Sequence, residues 1–314
     1  MRKIFSLFLF FIFLNSAVAQ NNSCRFFTPS DTLNKKRVEF IGASWVGIYG
    51  GALVGLNQLW YANYPRSSFH FYNDIREWNQ IDKCGHVFTA YFEAEWSARV
   101  LQWTGMKKNS AAWWGGMTGV LFQSVIETLD GFSKKWGFSP ADMTANCLGS
   151  GICISQNLLW NEQKLQLKFS SHPVNYSTDL KARTEDLYGN TIPQKVLKDY
   201  NGQTYWFSAN IFSFMKNKES KFPKWLNFSV GYGAEGMLGG YENKWLDENS
   251  NTVTRYDIPR SRQIYFSLDV DCSKIKTKSK LLNTFFHMTN IIKFPAPALE
   301  FNSTGKMKFY PIYF

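Results

Sequence analysis

Cysteine is scarce in this sequence: five in 314 residues, at positions 24, 84, 147, 153 and 272, with no Cys-x-x-Cys spacing among them. That excludes a disulfide framework, a zinc knuckle and a dithiol redox pair, and leaves at most one isolated bridge. Cys147 and Cys153 fall in an apolar stretch, where a free thiol behaves as a small hydrophobe. Acids are also in short supply, 24 against 35 bases, for a formal charge of +11. Charged residues reach only 19% while hydrophobic ones reach 45%, which excludes general disorder. The chain has no His-Glu-x-x-His, no Gly-x-Ser-x-Gly, no repeat and no low-complexity tract. What it has in excess is aromatic: 28 Phe, 15 Tyr and 12 Trp. Such a load suits broad apolar contacts and the membrane–water interface.

Arg2 and Lys3 precede an apolar run over 4–14, and Ala17-Val18-Ala19 stands before Gln20. A basic start, a short apolar core and a small-x-small site read as a secretory signal peptide over 1–19. Its removal takes the formal charge from +11 to +9. Export directs that charge toward the envelope membrane, its anionic lipid or envelope proteins, and away from nucleic acid. Cys24 follows Asn21-Asn22-Ser23, which lacks the apolar-small context of a lipoprotein cysteine.

Composition changes near residue 160. Before it, apolar segments cover 38–61, 84–103, 111–128 and 141–160. Gly47, Gly51 and Gly55 recur on one helical face, as do Gly115 and Gly119, a spacing that lets helix backbones approach. At about 20 residues each, the segments are long enough either to span a bilayer or to form a buried bundle. Residues 161–204 are polar and mixed, and read as a linker or excursion. Beyond them the period is two: 205–215, 225–237, 263–271 and 306–314 read as strands. That is too few for an outer-membrane barrel, which needs about eight or more, so a small antiparallel sheet is expected. Lys274, Lys276, Lys278 and Lys280 lead into 281–292, a basic amphipathic helix suited either to a membrane surface or to packing on the sheet. The expected class is α+β: a helical domain over 30–160, then a strand-rich region over 205–314.

Polar residues gather at the ends of the apolar segments. Asp82, Lys83 and His86 open one, with Glu93 seven beyond His86 on the same side. Asp82 reads as the N-cap, and the positive helix end would keep His86 neutral, the form that a metal ligand or general base requires. Glu127 and Asp130 close another segment before Gly131, at the wrong end of the macrodipole unless a cation or donor meets them. Ser139 and Pro140 open a third as cap and first residue, with Asp142 in the first turn and Asn146 one turn on.

These three blocks, from about Trp78 to Gln156, resemble the YfiM-like predicted periplasmic proteins of unknown function. The matching positions are Asp82, Lys83, His86, Glu127, Asp130, Gly131, Ser133, Ser139, Asp142, Asn146 and Gly149. More remotely, the skeleton is similar to VanZ-like membrane proteins, although Pro140 stands where that family has an Arg before its last Asp. The resemblance implies an envelope protein and names no reaction.

Two functions follow from the cluster. In one, the residues form a hydrogen-bonded network that holds the bundle of an exported, membrane-associated protein, since a charge among apolar helices must be paired. Asp82, Lys83, Glu93, Ser139 and Asn146 belong to that network. In the other, His86, Glu127, Asp130 and Asp142 are catalytic. A divalent metal held by Asp82, His86, Glu127 and Asp130 would then assist hydrolysis or transfer at a phosphate or sugar linkage. Export places either protein in the periplasm or at the outer membrane; spanning helices would make it a polytopic inner-membrane protein.

Overall fold

The computed structural model describes residues 26–61, 64–217, 219–247 and 249–314. The signal peptide and Cys24 lie outside the described residues. Four long helices come first: α1 (Lys35–Leu56), α2 (Ile81–Trp103), α3 (Lys108–Gly131) and α4 (Pro140–Trp160). Helices α2, α3 and α4 pack closely because small residues meet at their crossings. A Cβ added to Gly115 would lie 2.3 Å from the backbone nitrogen of Ala98, and one on Gly119 would lie 2.2 Å from the Ala90 carbonyl. One on Gly149 would lie 2.1 Å from the Val87 carbonyl. The glycine stripe of α1 behaves otherwise: Gly47, Gly51 and Gly55 have nothing within 4 Å. Helix α1 touches the bundle through Trp45 and Tyr49 against Phe122, while Phe40, Val46, Ile48 and Val54 are exposed. Among the described residues it is the one helix long and apolar enough to cross a membrane. The other three segments fall short, so the polytopic arrangement loses its support.

Residues 161–204, expected as a linker or excursion, hold strand β1 (Leu165–Ser171) and helices α5 (Lys181–Tyr188) and α6 (Ile192–Lys198). Strand β1 escaped notice because the residues it buries are Gln166, Lys168 and Ser170. Then come β2 (Gln203–Asn210), the short α7 (Ile211–Phe214), β3 (Leu226–Glu235), β4 (Lys244–Leu246), β5 (Thr252–Thr254) and β6 (Ser261–Val270). Helix α8 (Lys280–Thr289), β7 (Ala296–Asn302) and β8 (Met307–Tyr313) follow. The main sheet is antiparallel in the order β1-β2-β3-β6-β7-β8, and β4 pairs with β5 apart from it. The chain is thus α+β, with helices followed by an antiparallel sheet.

The polarity of the sheet runs opposite to that of an ordinary water-soluble one. Along β6, Gln263, Tyr265, Ser267 and Asp269 are buried while Ile264, Phe266 and Leu268 are exposed. The enclosed side holds the Lys168–Asp269 ion pair at 2.8 Å and an aromatic group of Trp206, Tyr265 and Tyr313. Helix α2 lies against the other side near β1 and β2, where Phe88 meets Phe169 and Tyr205, and Ile81 packs with Ala234 and Met237. The start of α2 is thereby fixed between the other two helices and the sheet.

Candidate functional site

The polar site forms where the N-termini of α2 and α4 meet the C-terminal turn of α3. Ser139 N-caps α4, its Oγ accepting from the Asp142 amide at 3.1 Å. Its own amide donates to Glu127 at 3.1 Å and its hydroxyl donates to Asp74 at 2.6 Å, so one serine ties α4 to α3 and to the segment before α2. Asp82 is not the cap of α2, which starts at Ile81 behind Gln80; it lies in the first turn, where the positive helix end favours a carboxylate. The entry is unusual: Trp78, Asn79 and Gln80 have φ of 48°, 50° and 64°, a left-handed run without glycine. The Trp78 amide donating to Gly240, Tyr232 donating to the Asn79 carbonyl, and Arg262 donating to Gln80 hold it in place. Strain retained in this way marks a segment whose exit direction matters.

Lys83 is the hub. Its ammonium lies 2.6 Å from Asp142, 2.8 Å from Asp74 and 3.0 Å from Asp82. Tyr200, from the stretch before β2, donates to the other oxygen of Asp82 at 2.8 Å. His86 faces the same group: Nδ1 is 3.1 Å from the Asn146 amide oxygen, and Nε2 is 3.6 Å from Glu127 and 3.7 Å from Asp142. Glu127, Asp142 and Asn146 are essentially inaccessible, at 1%, 4% and 0% exposure. Glu127 Oε1, Asp142 Oδ1 and Asn146 Nδ2 make no hydrogen bond, although Lys83 pairs with that Asp142 oxygen.

Burial sets the electrostatics. It pushes the Glu127 carboxyl up to about 8, with Asp142 and Asp130 adding to the effect. Asp142 rises to about 7 through burial and its neighbour Asp82. Burial works against ionised Asp82 too, but His86 and Lys83 overcome it and hold that carboxyl below its ordinary value. For His86 burial favours the neutral ring, yet Asp82, Asp142 and Glu127 outweigh it and raise its pKa. The expectation of a neutral imidazole is therefore corrected: three nearby carboxyls prevail over one helix dipole. An imidazole that holds its proton is a hydrogen-bond donor, and neither a ligand nor a base until it loses it.

Two expected members stand apart. Glu93 accepts from Tyr49 at 2.7 Å and from Gln123 at 3.0 Å, so it ties α2 to α1 and α3 farther along the bundle. Asp130 accepts from Tyr61 at 2.8 Å and makes no direct contact with His86; burial raises its pKa to about 7. The donor set best placed for a cation is accordingly Asp82, His86 and Asp142, whose ligand atoms lie within 4.8 Å of one another. It replaces the set of Asp82, His86, Glu127 and Asp130. Hard oxygens with one imidazole suit a divalent ion, but Lys83 already lies against both aspartates. Asp74 and Tyr200 were missed: Asp74 falls in no periodic segment, and Tyr200 is remote in sequence from all three blocks.

No curated protein and no solved structure matches the chain. Residues 71–158, which carry Asp74, Asp82, Lys83, His86, Glu127, Asp130, Asp142 and Asn146, are similar to the family described as predicted periplasmic lipoprotein (DUF2279), a match that supports an exported protein of the cell envelope.

Proposed function

We propose that this is a membrane-associated envelope protein in which the Lys83 cluster is a structural clasp. The observation that carries the reading is closure: one ammonium contacts three carboxylates at 2.6–3.0 Å while Glu127, Asp142 and Asn146 are shut away from solvent. The polar groups meet each other instead of surrounding an open cleft. A buried charge set of this kind locks three helix ends in one arrangement, because breaking any pair leaves an uncompensated charge. The family description supports placement in the envelope. The resemblance of the same blocks to YfiM-like and, remotely, VanZ-like proteins supports it as well. Association with the membrane draws on the exposed apolar side of α1 and on the basic helix α8, whose Leu281, Phe285 and Met288 are exposed.

One observation favours a second reading. His86 Nε2 faces Glu127 Oε1 and Asp142 Oδ1 across gaps of 3.6 and 3.7 Å, too wide for hydrogen bonds and of a size that a bound cation bridges. A divalent ion held there by His86 and Asp142, with Asp82 or Glu127, would supply Lewis-acid chemistry toward a phosphate- or sugar-containing lipid or polymer.

His86→Ala, studied by thermal unfolding together with elemental analysis of the purified protein, separates the two. A clasp loses stability and carries no stoichiometric metal in the parent protein. A variant that unfolds like its parent while losing a bound metal would overturn the clasp.

A further inference from the structure

We infer that the outward face of the main sheet, over β3, β6, β7 and β8, docks into the acyl layer of an anionic membrane. The inference rests on the membrane association proposed above and names the surface responsible. Across the strand register the exposed residues form one uninterrupted patch. Phe228 pairs with Leu268, Ile264 with Phe301, and Phe309 with Leu299, which in turn pairs with Phe266. Phe228, Ile264, Phe266, Leu268, Phe301 and Phe309 are all exposed. A sheet built for water keeps such residues inside and sends polar ones out. Here the inside is already filled, by polar groups in contact with one another and by the Trp206, Tyr265 and Tyr313 rings. Lys168 and Asp269 are fully buried, Ser208 donates to Asp269 at 2.7 Å, and Ser229 donates to Ser208 at 2.8 Å. Apolar-out with polar-in is the alternation of strands that face lipid.

The dimensions and the rim identify lipid as the occupant. From Ile264 to Leu268 the strand rises about 14 Å, so the face can lie flat against one leaflet with both strand ends at headgroup level. Exposed bases flank the apolar patch at both ends. Lys221 and Lys224 lie before β3, beside exposed Trp225, and Lys306 lies at the β7–β8 turn. Ammonium groups and an indole bordering an apolar patch match anionic headgroups over acyl chains. A protein partner or a second copy would need no such rim.

The test uses the full mature chain and vesicles of phosphatidylglycerol and phosphatidylethanolamine that carry a trace of phospholipid with a diazirine in its acyl chain. After flotation and illumination, adducts map by mass spectrometry to peptides containing Phe228, Phe266 and Phe309, and spare the peptide with Tyr256, which is exposed but outside the patch. The triple variant Phe266→Asn, Leu268→Thr, Phe309→Gln loses vesicle partitioning by about tenfold or more, since the loss of even one fully buried apolar side chain contributes on the scale of that factor. Phe266 also meets Phe228 and Phe301 in the folded chain, so partitioning is compared below the thermal midpoints of both proteins, where each is folded. Adducts confined to α1 or α8 would overturn this surface while leaving membrane association in place. A chain that neither floats nor labels would overturn both, and a lipid-free dimer that the triple variant dissociates would overturn this surface alone.

Discussion

Among single residues, Glu127 and Lys83 control the site in opposite senses. The Glu127 carboxyl, ordinarily near 4.5, rises to about 8 when the chain folds. The folded protein therefore keeps a proton that the unfolded chain releases. That contribution to stability is complete below pH 4.5 and is lost as pH climbs toward 8. His86, raised above 6.5 once burial has been outweighed by its acidic neighbours, acts in the same direction from pH 6.5 upward. Asp82 is lowered, so its contribution holds above pH 3.8 and disappears as pH falls below it. The thermal midpoint is thus expected to peak near pH 5 and to decline toward pH 8. Glu127→Gln, which copies the protonated carboxyl and still accepts from the Ser139 amide, flattens that decline and unfolds later than the parent at pH 8. A parent midpoint that rises from pH 5 to pH 8 would refute the assignment. Lys83→Met has the reverse effect. It strands three carboxylates in a closed site, and removal of one partner from a buried charge set costs about 3–5 kcal/mol, measurable by denaturant unfolding at neutral pH. An unchanged midpoint would mean that solvent already screens the cluster.

At the scale of elements, the four apolar helices were legible from their length and apolar content, and four of the strands from their period of two, although burial does not follow that pattern in α1 or β8 and runs opposite to it in β6. The Ser139-Pro140 start of α4 was legible for another reason, since capping is chemistry local to a few residues. Other features depend on what lies opposite. The glycine stripes of α1 and α3 have the same spacing, yet only the α3 stripe meets a neighbouring backbone, and no single-chain pattern separates the two. Gly115→Ala would push a Cβ to 2.3 Å from Ala98, an overpacking worth roughly 1–3 kcal/mol of destabilisation. Gly151→Ala, in the middle of α4 with nothing within 4 Å, should stabilise by up to about 1 kcal/mol through helix propensity alone. Parallel melts of the two variants check the packing directly, and similar midpoints would sink it. Strand β1 was illegible for the same kind of reason: a strand that buries Gln166, Lys168 and Ser170 looks like a surface segment until the polar interior it faces is known.

For the whole molecule, the question is whether helices and sheet form one cooperative unit. The period-two segments pointed to a separate strand-rich region, and the site was read from the helices alone. Yet Tyr200, from just before β2, completes Asp82, and the left-handed turn into α2 is held by Gly240, Tyr232 and Arg262. Ile81, at the first position of α2, is enclosed by Ala234 and Met237. Long-range contacts of this sort leave no local signature, which explains why the convergence of His86, Glu127 and Asp142 could be anticipated while its support from the sheet could not. They also carry a thermodynamic consequence. The helix ends cannot keep their charges paired once the sheet leaves, because Asp82 loses a donor and the α2 entry loses its restraints. Thermal unfolding should therefore give one transition, with the far-UV helical signal and the near-UV signal of the sheet aromatics falling together. Tyr200→Phe removes a single hydrogen bond to a charged carboxylate, worth about 1.5–3 kcal/mol. It should lower both signals by the same amount, although the residue lies outside the helical region. Two separated transitions, with only the sheet signal responding to Tyr200→Phe, would show that the site is held by its helices alone.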